Sequence, residues 1–191
     1  MEELILVNER DEEVGIGEKL QVHREGRLHR AFSIFVFDSA GRLLLQKRSA
    51  SKYHSGGLWS NTCCGHPRPG ERTEVAAHRR LREEMNFDCP LQFCSSFIYR
   101  AELDHGLIEW ELDHIFVGLH DGDPDPDESE ADDWEWVGVD ELTTGINERP
   151  GKFTYWLKVA LGQMNLAAMG SVAANQRSRR SGHPTKTNGG D

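Results

Sequence analysis

Cys64 and Glu111 occupy the two settings in this chain that most suggest chemistry. Cys64 is followed by Gly65 and His66, and Glu111 closes the pattern Glu109-Trp110-Glu111. A cysteine in such a place works as a base or acid near neutral pH when a nearby cation stabilises its thiolate. Its ordinary alternative is a buried, inert thiol. Glu109 and Glu111, two apart in a segment that reads as a strand, emerge on one face. Paired carboxylates on an otherwise apolar face repel one another, and a divalent cation is the simplest compensating group.

Histidines complete the candidate set. His23 and His29 flank a short polar segment before an apolar run that starts at Ala31, and His66 lies beside Cys64. Imidazole nitrogen with carboxylate oxygen suits zinc, manganese, cobalt or iron, and admits magnesium less well. Taken singly, each of these histidines reads as a surface or loop residue; only their joint convergence would make a metal site. His54, His78, His105, His120 and His183 make weaker cases, and His114 falls on the strand face opposite Glu111. Cys63, pointing away from Cys64, is assigned to packing, as are Cys89 and Cys94.

Lys47, Arg48, Lys52 and Arg80 are candidates for binding phosphate oxygens, arginine as a bidentate fork and lysine as a point charge. A solvated face has the same composition. Against a net charge of -10, however, a basic cluster carries more information. Trp59, Tyr99, Trp110 and Trp156 offer aromatic surface, either to a small hydrocarbon pocket or to the core.

The elements that must position these groups follow from periodicity. Leu4 to Asn8 reads as a first strand, followed by a turn-rich ERDEEVG. Ala31 to Phe37, the turn Asp38-Ser39-Ala40-Gly41 and Leu43-Leu44-Leu45 read as a hairpin. Glu71 to Met85 fits a helix whose inward stripe runs through Glu74, Ala77, His78, Leu81 and Met85, with Arg80 and Glu84 along one edge. That edge is either a solvated boundary or the placement of a ligand in a cleft. Phe93 to Arg100, Ile108 to Leu119 and Trp134 to Val139 read as strands, with an acidic loop from His120 to Asp133. Asp140 is expected to cap a short helix, and Phe153 to Met169 has helical spacing. The expectation is one α/β domain over residues 1–170, then a polar tail over 171–191 that cannot bury much apolar area.

The chain has 191 residues, 28% of them charged, enough for one domain with its own core. Its acidity disfavours a general nucleic-acid binder and points to a small anion held in a locally positive cleft. No secretory signal or membrane span is visible, and the four cysteines match no zinc ribbon or C-x-x-C pair. A reducing cytoplasm is the expected location.

Assembled, the motifs resemble a known family. Trp59-Ser60-Asn61-Thr62-Cys63-Cys64-Gly65-His66-Pro67 looks like the cysteine motif of the type 1 isopentenyl-diphosphate delta-isomerases, and Glu109-Trp110-Glu111 resembles their Glu-x-Glu motif. His23 and His29, followed by Arg30-Ala31-Phe32-Ser33, are similar to their N-terminal metal histidines. The likeness runs from Leu4 to Met164. Gly65, Glu71 and Arg79-Arg80-Leu81-Arg82-Glu83-Glu84 also resemble a degenerate Nudix box, with Arg80 where the hydrolase pattern has a glutamate and Asn86-Phe87 at its glycine-hydrophobe ending.

The resemblance implies a Nudix-like mixed β-sheet sandwiched between helices. It implies one tightly bound divalent ion (Mn2+, Zn2+ or Mg2+) on His23, His29, His66, Glu109 and Glu111, and a second, Mg2+, that Glu84 holds against the substrate diphosphate. It assigns Cys64 and Glu111 to acid-base catalysis and no flavin. Arg48, Lys52 and Arg80 go to the diphosphate, and Tyr99 and Trp156 to the hydrocarbon. In this picture Cys64 acts as a thiolate base and Glu111 as a metal-tuned acid on a small allylic or homoallylic diphosphate, in a monomer or weak homodimer. Two competing readings are a Nudix-type pyrophosphohydrolase, for which Cys64 is dispensable, and a noncatalytic diphosphate-binding protein.

Overall fold

The computed structural model describes residues 2–52 and 54–163. The tail over 171–191 and the last turn of the Phe153–Met169 helix lie outside the described residues. The strands are β1 (Glu3–Val7), β2 (Glu13–Glu18), β3 (His29–Phe37), β4 (Leu43–Arg48), β5 (Trp59–Ser60), β6 (Cys63–Gly65), β7 (Leu91–Glu102), β8 (Ile108–Leu119) and β9 (Ala131–Val137). The helices are α1 (Lys19–Glu25), α2 (Thr73–Met85), α3 (Val139–Glu148) and α4 (Tyr155–Gln163).

Alternation along β3 explains the layering. Phe32, Ile34 and Val36 pack with Ala76, Ala77, Leu81 and Met85 of α2. Phe35 and Phe37 turn to the other side, onto Leu142 of α3 and Leu157 and Ala160 of α4. The mixed sheet is thus buried between helices, as expected, because β3 is apolar on both faces. β3 runs parallel to β8 and antiparallel to β6, while β8 pairs antiparallel with β7.

On the α3–α4 side, one sheet face is apolar at one end and polar at the other. Ile115 and Val117 of β8 join the core cluster, whereas Glu109, Glu111 and Asp113 continue the same face. On β3, Phe35 and Phe37 are likewise continued by Ser33 and His29. Register then aligns the polar ends: His29 is the partner of Glu111, Tyr99 is the partner of the same Glu111 on β7, and Ser33 is the partner of Cys64 on β6.

Several local expectations change. The turn-rich ERDEEVG runs into β2, an edge strand on β1, and beyond it lies α1, whose seven residues are too short to show a period. Glu18 caps α1 by accepting from the Leu20 and Gln21 amides, and Gly26 ends it at φ 60. Glu74 is exposed, and the buried carboxylate of α2 is Glu84. α3 starts at Val139 with Gly138 at its cap, so Asp140 stands in the first turn, where its charge favours the helix dipole rather than capping it. Asn86 ends α2 at φ 57, a left-handed position that asparagine tolerates better than most residues. That is why it can replace the glycine of the motif.

Candidate active site

His23 comes from α1, His29 from β3, His66 from the turn after β6, and Glu111 from β8. One ligand atom from each lies within 4.8 Å of all the others. His23 Nδ1 donates to the Lys19 carbonyl at 2.7 Å and His29 Nδ1 to the Arg27 carbonyl at 2.9 Å. A carbonyl can only accept, so both protons sit on Nδ1 and both Nε2 lone pairs face the cluster when the rings are neutral. Those two Nε2 atoms are buried without a hydrogen-bond partner. Orphaned nitrogens beside a carboxylate are the donor set that a divalent ion satisfies.

Glu111 divides its oxygens. Oε1 lies 3.0 Å from His66 Nε2 and 3.4 Å from His29 Nε2, and Oε2 accepts from the Tyr99 hydroxyl at 2.7 Å. Burial opposes ionisation of Glu111, but the two imidazoles outweigh it and hold the carboxyl well below its usual range. Glu109 stands beside this group rather than within it, and its Oε2 accepts from the same Tyr99 hydroxyl at 3.0 Å. Burial and the Glu111 charge push the Glu109 carboxyl up. Burial also pulls the His66 imidazole down to about 4, which keeps it neutral and ligand-competent.

Cys64 and Cys63 separate as expected. Cys63 is buried in the α2-side core, while Cys64 lines the pocket. The Cys64 thiol donates to Asn61 Oδ1 at 3.1 Å, and Ser33 Oγ lies 3.6 Å from its sulfur. Burial, followed by the Asp113 charge, pushes this thiol up to about 12. The expected thiolate required a neighbouring cation, whereas an amide oxygen and a hydroxyl face the sulfur here.

The pocket encloses about 610 Å³. Arg48, Lys52 and Arg80 line it, with Glu84, Tyr99 and Trp156; Lys47, Trp59 and Trp110 do not. Trp59 and Trp110 pack against core clusters instead. Arg80 is ion-paired with Glu83, Glu84 and Glu130, and Glu130 also binds Lys52. Gln46 donates to the buried Glu84 at 2.9 Å. The Trp156 indole N–H donates to Ser60 Oγ at 2.9 Å, and the Arg48 guanidinium lies 5.1 Å from the ring centroid. Glu71 accepts from Arg79 and from the Arg68 amide, tying the start of α2 to the loop before it.

Sequence reasoning missed several pocket residues. Lys19, Arg68, Arg79, His54 and Glu130 also line the cavity. Asp113, behind the pocket wall on Ser33, had a legible signal, since it extends the Glu109, Glu111 alternation by one more step. Lys19 and Glu130 had none, because each reaches the pocket from an element remote in sequence.

A mixed sheet between helices, carrying a histidine-carboxylate cluster and a cationic wall at one end, defines a Nudix-fold protein with a metal-capable site. The NUDIX domain family model matches residues 27–157. Isopentenyl-diphosphate Delta-isomerase 1 of Aromatoleum aromaticum is 56% identical over 163 residues, covering 85% of this chain and 92% of that protein. The Serratia proteamaculans isopentenyl-diphosphate Delta-isomerase is 52% identical over 178 residues, covering 93% and 95%. The chain belongs to the isopentenyl-diphosphate Delta-isomerase family of NUDIX-domain proteins. Among solved structures, DR0079 from Deinococcus radiodurans superposes with a TM-score of 0.65 at 26% identity, covering 77% of this chain and 90% of that one. A MutT NUDIX hydrolase from Burkholderia pseudomallei, 18% identical with a TM-score of 0.58, covers 73% and 99% and shares the fold alone. No helix among the described residues is long and apolar enough to cross a membrane.

Proposed function

We propose that this chain interconverts isopentenyl diphosphate and dimethylallyl diphosphate by adding a proton at one end of the allylic unit and removing one at the other. The observation that carries this reading is that Cys64 and the hydrogen-bonded pair Glu111–Tyr99 line one pocket that also holds Arg48, Lys52 and Arg80. Cys64 and Glu111 thereby face one substrate as the acid-base pair of a proton shift.

A tightly bound divalent ion (Mn2+, Zn2+ or Mg2+) on His23, His29, His66 and Glu111, with Glu109 beside it, would supply positive charge that tunes the acidity of groups around Glu111. The buried Glu84 carboxylate would hold a second divalent ion, Mg2+, that supplies positive charge to the diphosphate. Arg48, Lys52 and Arg80 bind phosphate oxygens, so that binding energy at the anion fixes the hydrocarbon between its acid and its base.

Glu111, with Tyr99, delivers a proton to the terminal alkene carbon, which leaves a tertiary cationic centre. Cys64 takes a proton from the allylic carbon, and the double bond moves by one position. The reverse direction uses the complementary protonation states. Trp156, buried at the pocket wall, stabilises the transient positive charge through its π face. Proton addition and removal leave the oxidation state unchanged, so the reaction calls for no flavin.

The test is incubation of metal-loaded protein with isopentenyl diphosphate in deuterated water. Deuterium uptake together with dimethylallyl diphosphate supports the proposal. Phosphate release without label uptake would assign the site to hydrolysis, and binding without turnover to a noncatalytic role.

A further inference from the structure

Asp113 is a carboxylate that neither the histidine cluster nor the cationic wall uses. It lies on the Glu109–Glu111 face of β8, 1% exposed. Its Oδ2 accepts from the Ser33 hydroxyl at 2.9 Å, while its Oδ1 is buried without a partner. Leaving a carboxylate buried on one hydrogen bond costs folding free energy, and nothing in the packing of β8 requires an acid there.

What the acid holds is Ser33. Ser33 is the cross-strand partner of Cys64, and its Oγ lies 3.6 Å from the Cys64 sulfur. With its proton directed to Asp113, Ser33 Oγ is left as an acceptor beside the sulfur, a second oxygen toward which the S–H can turn. On the other side the thiol meets Asn61 Oδ1 at 3.1 Å. Asn61 is itself locked, because its Nδ2 donates to the Ile34 and Cys63 carbonyls at 3.1 and 3.0 Å. The sulfur thus sits between two oxygens of fixed orientation.

We propose that Asp113, acting through Ser33, is a positioning residue that holds the Cys64 thiol in the orientation from which it exchanges a proton with the substrate. The proposal rests on the isomerase reading, and it deepens that reading by naming what aims the thiol. A purely structural Asp113 would affect folding without changing how Cys64 reacts.

The test compares Ser33→Ala, Asp113→Ala, their double variant and Asp113→Asn in the metal-loaded full chain. The readouts are kcat and KM for isopentenyl diphosphate, and the rate of Cys64 alkylation by iodoacetamide, followed by mass spectrometry of its peptide. Ser33→Ala and Asp113→Ala each lower kcat about tenfold to a hundredfold, as expected for a misplaced reacting group, and leave KM within about twofold. The double variant is no slower than either single one, since the two side chains act as a unit. Asp113→Asn, which keeps an oxygen for Ser33, retains most of kcat. The alkylation rate changes in the two alanine variants and not in Asp113→Asn.

Asp113→Asn as slow as Asp113→Ala, losses that multiply in the double variant, or an unaltered alkylation rate would each overturn the proposal. If Asp113→Ala does not fold, Ser33→Ala and Asp113→Asn decide. Failure of the unmodified chain to isomerise would instead sink the functional reading, and the alkylation rates would still judge the positioning.

Discussion

His29 and Glu111 are register partners in the parallel pairing of β3 with β8, with His29 Nε2 3.4 Å from Glu111 Oε1. On the far side of β8, Tyr99 is the partner of the same Glu111 and donates to its Oε2 at 2.7 Å. One rung across three strands therefore carries an imidazole, a carboxylate and a phenol. Groups fixed on paired strands are more precisely held than groups on loops. His29 Nε2, buried beside Glu111 without a hydrogen-bond partner, is the best place to test for a metal.

Removing metal with a chelator lowers the thermal midpoint, and restoring Mn2+ or Zn2+ raises it again. A ligand at about a hundred times its Kd stabilises the folded state by about 2.7 kcal/mol. His29→Ala deletes one of the two unpartnered histidine nitrogens and abolishes most of that metal-dependent gain. Calorimetry with and without added ion reads it directly. An undiminished gain in His29→Ala would place the ion elsewhere.

Cys64→Ala separates the two enzymatic readings. The thiol reaches Asn61 and Ser33 and packs only at the edge of the small Tyr99–Ala101–Trp156 cluster, so the substitution leaves stability within about 1 kcal/mol of the original. Isomerisation, measured as label uptake from deuterated water, falls by at least about a hundredfold. A pyrophosphohydrolase would lose little, since its chemistry falls on phosphorus. Retention of label uptake in Cys64→Ala would remove the thiol from the mechanism.

Much of this site was legible because it follows period-two alternation on strands. The spacing of Glu109 and Glu111 put both on one face, and the odd offset of His114 put that residue on the other, where its Nε2 meets Asp11 at 2.9 Å. What could not be read was which strands are neighbours. The parallel β3–β8 pairing joins residues about eighty apart in sequence, and only that pairing brings His29 to Glu111. The surroundings of Cys64 were hidden for a related reason: its polar neighbours, Ser33 and Asn61, are set by the β3–β6 register and by a buried amide, not by the basic residues near it in sequence. α1 escaped notice because a seven-residue helix shows no reliable period, although it delivers His23.

Asn86 tests the reading of the altered motif ending. Its φ of 57 lies where a β-carbon is costly, and its side chain donates to Asp125 at 3.2 Å on the surface. Asn86→Gly removes the backbone penalty and an exposed hydrogen bond, two small effects of opposite sign, so stability stays within about 0.5 kcal/mol. Asn86→Ala loses the hydrogen bond while keeping the penalty and costs about 1 kcal/mol. Urea midpoints of the two variants check the order; alanine matching glycine would mean the left-handed cap contributes nothing.

His54 makes the acid sensitivity of the fold testable. Its ring is buried, edge-on to Trp156 at 5.9 Å and 6.3 Å from the His23 ring. Burial, followed by the Arg48 charge, pulls its pKa from 6.5 to about 3. Between those values the unfolded chain binds a proton that the folded chain refuses. Stability is therefore full above about pH 6.5 and declines as the pH falls toward 3, by about 2 kcal/mol at pH 5 from this residue alone. A cation bound nearby opposes protonation too, so metal loading leaves the sign unchanged. His54→Gln removes one titrating group, and its stability should fall less steeply than that of the unmodified chain between about pH 7 and pH 5. Denaturant titrations at several pH values measure both slopes, and equal slopes would show that His54 takes up its proton in the folded state as readily as in the unfolded one.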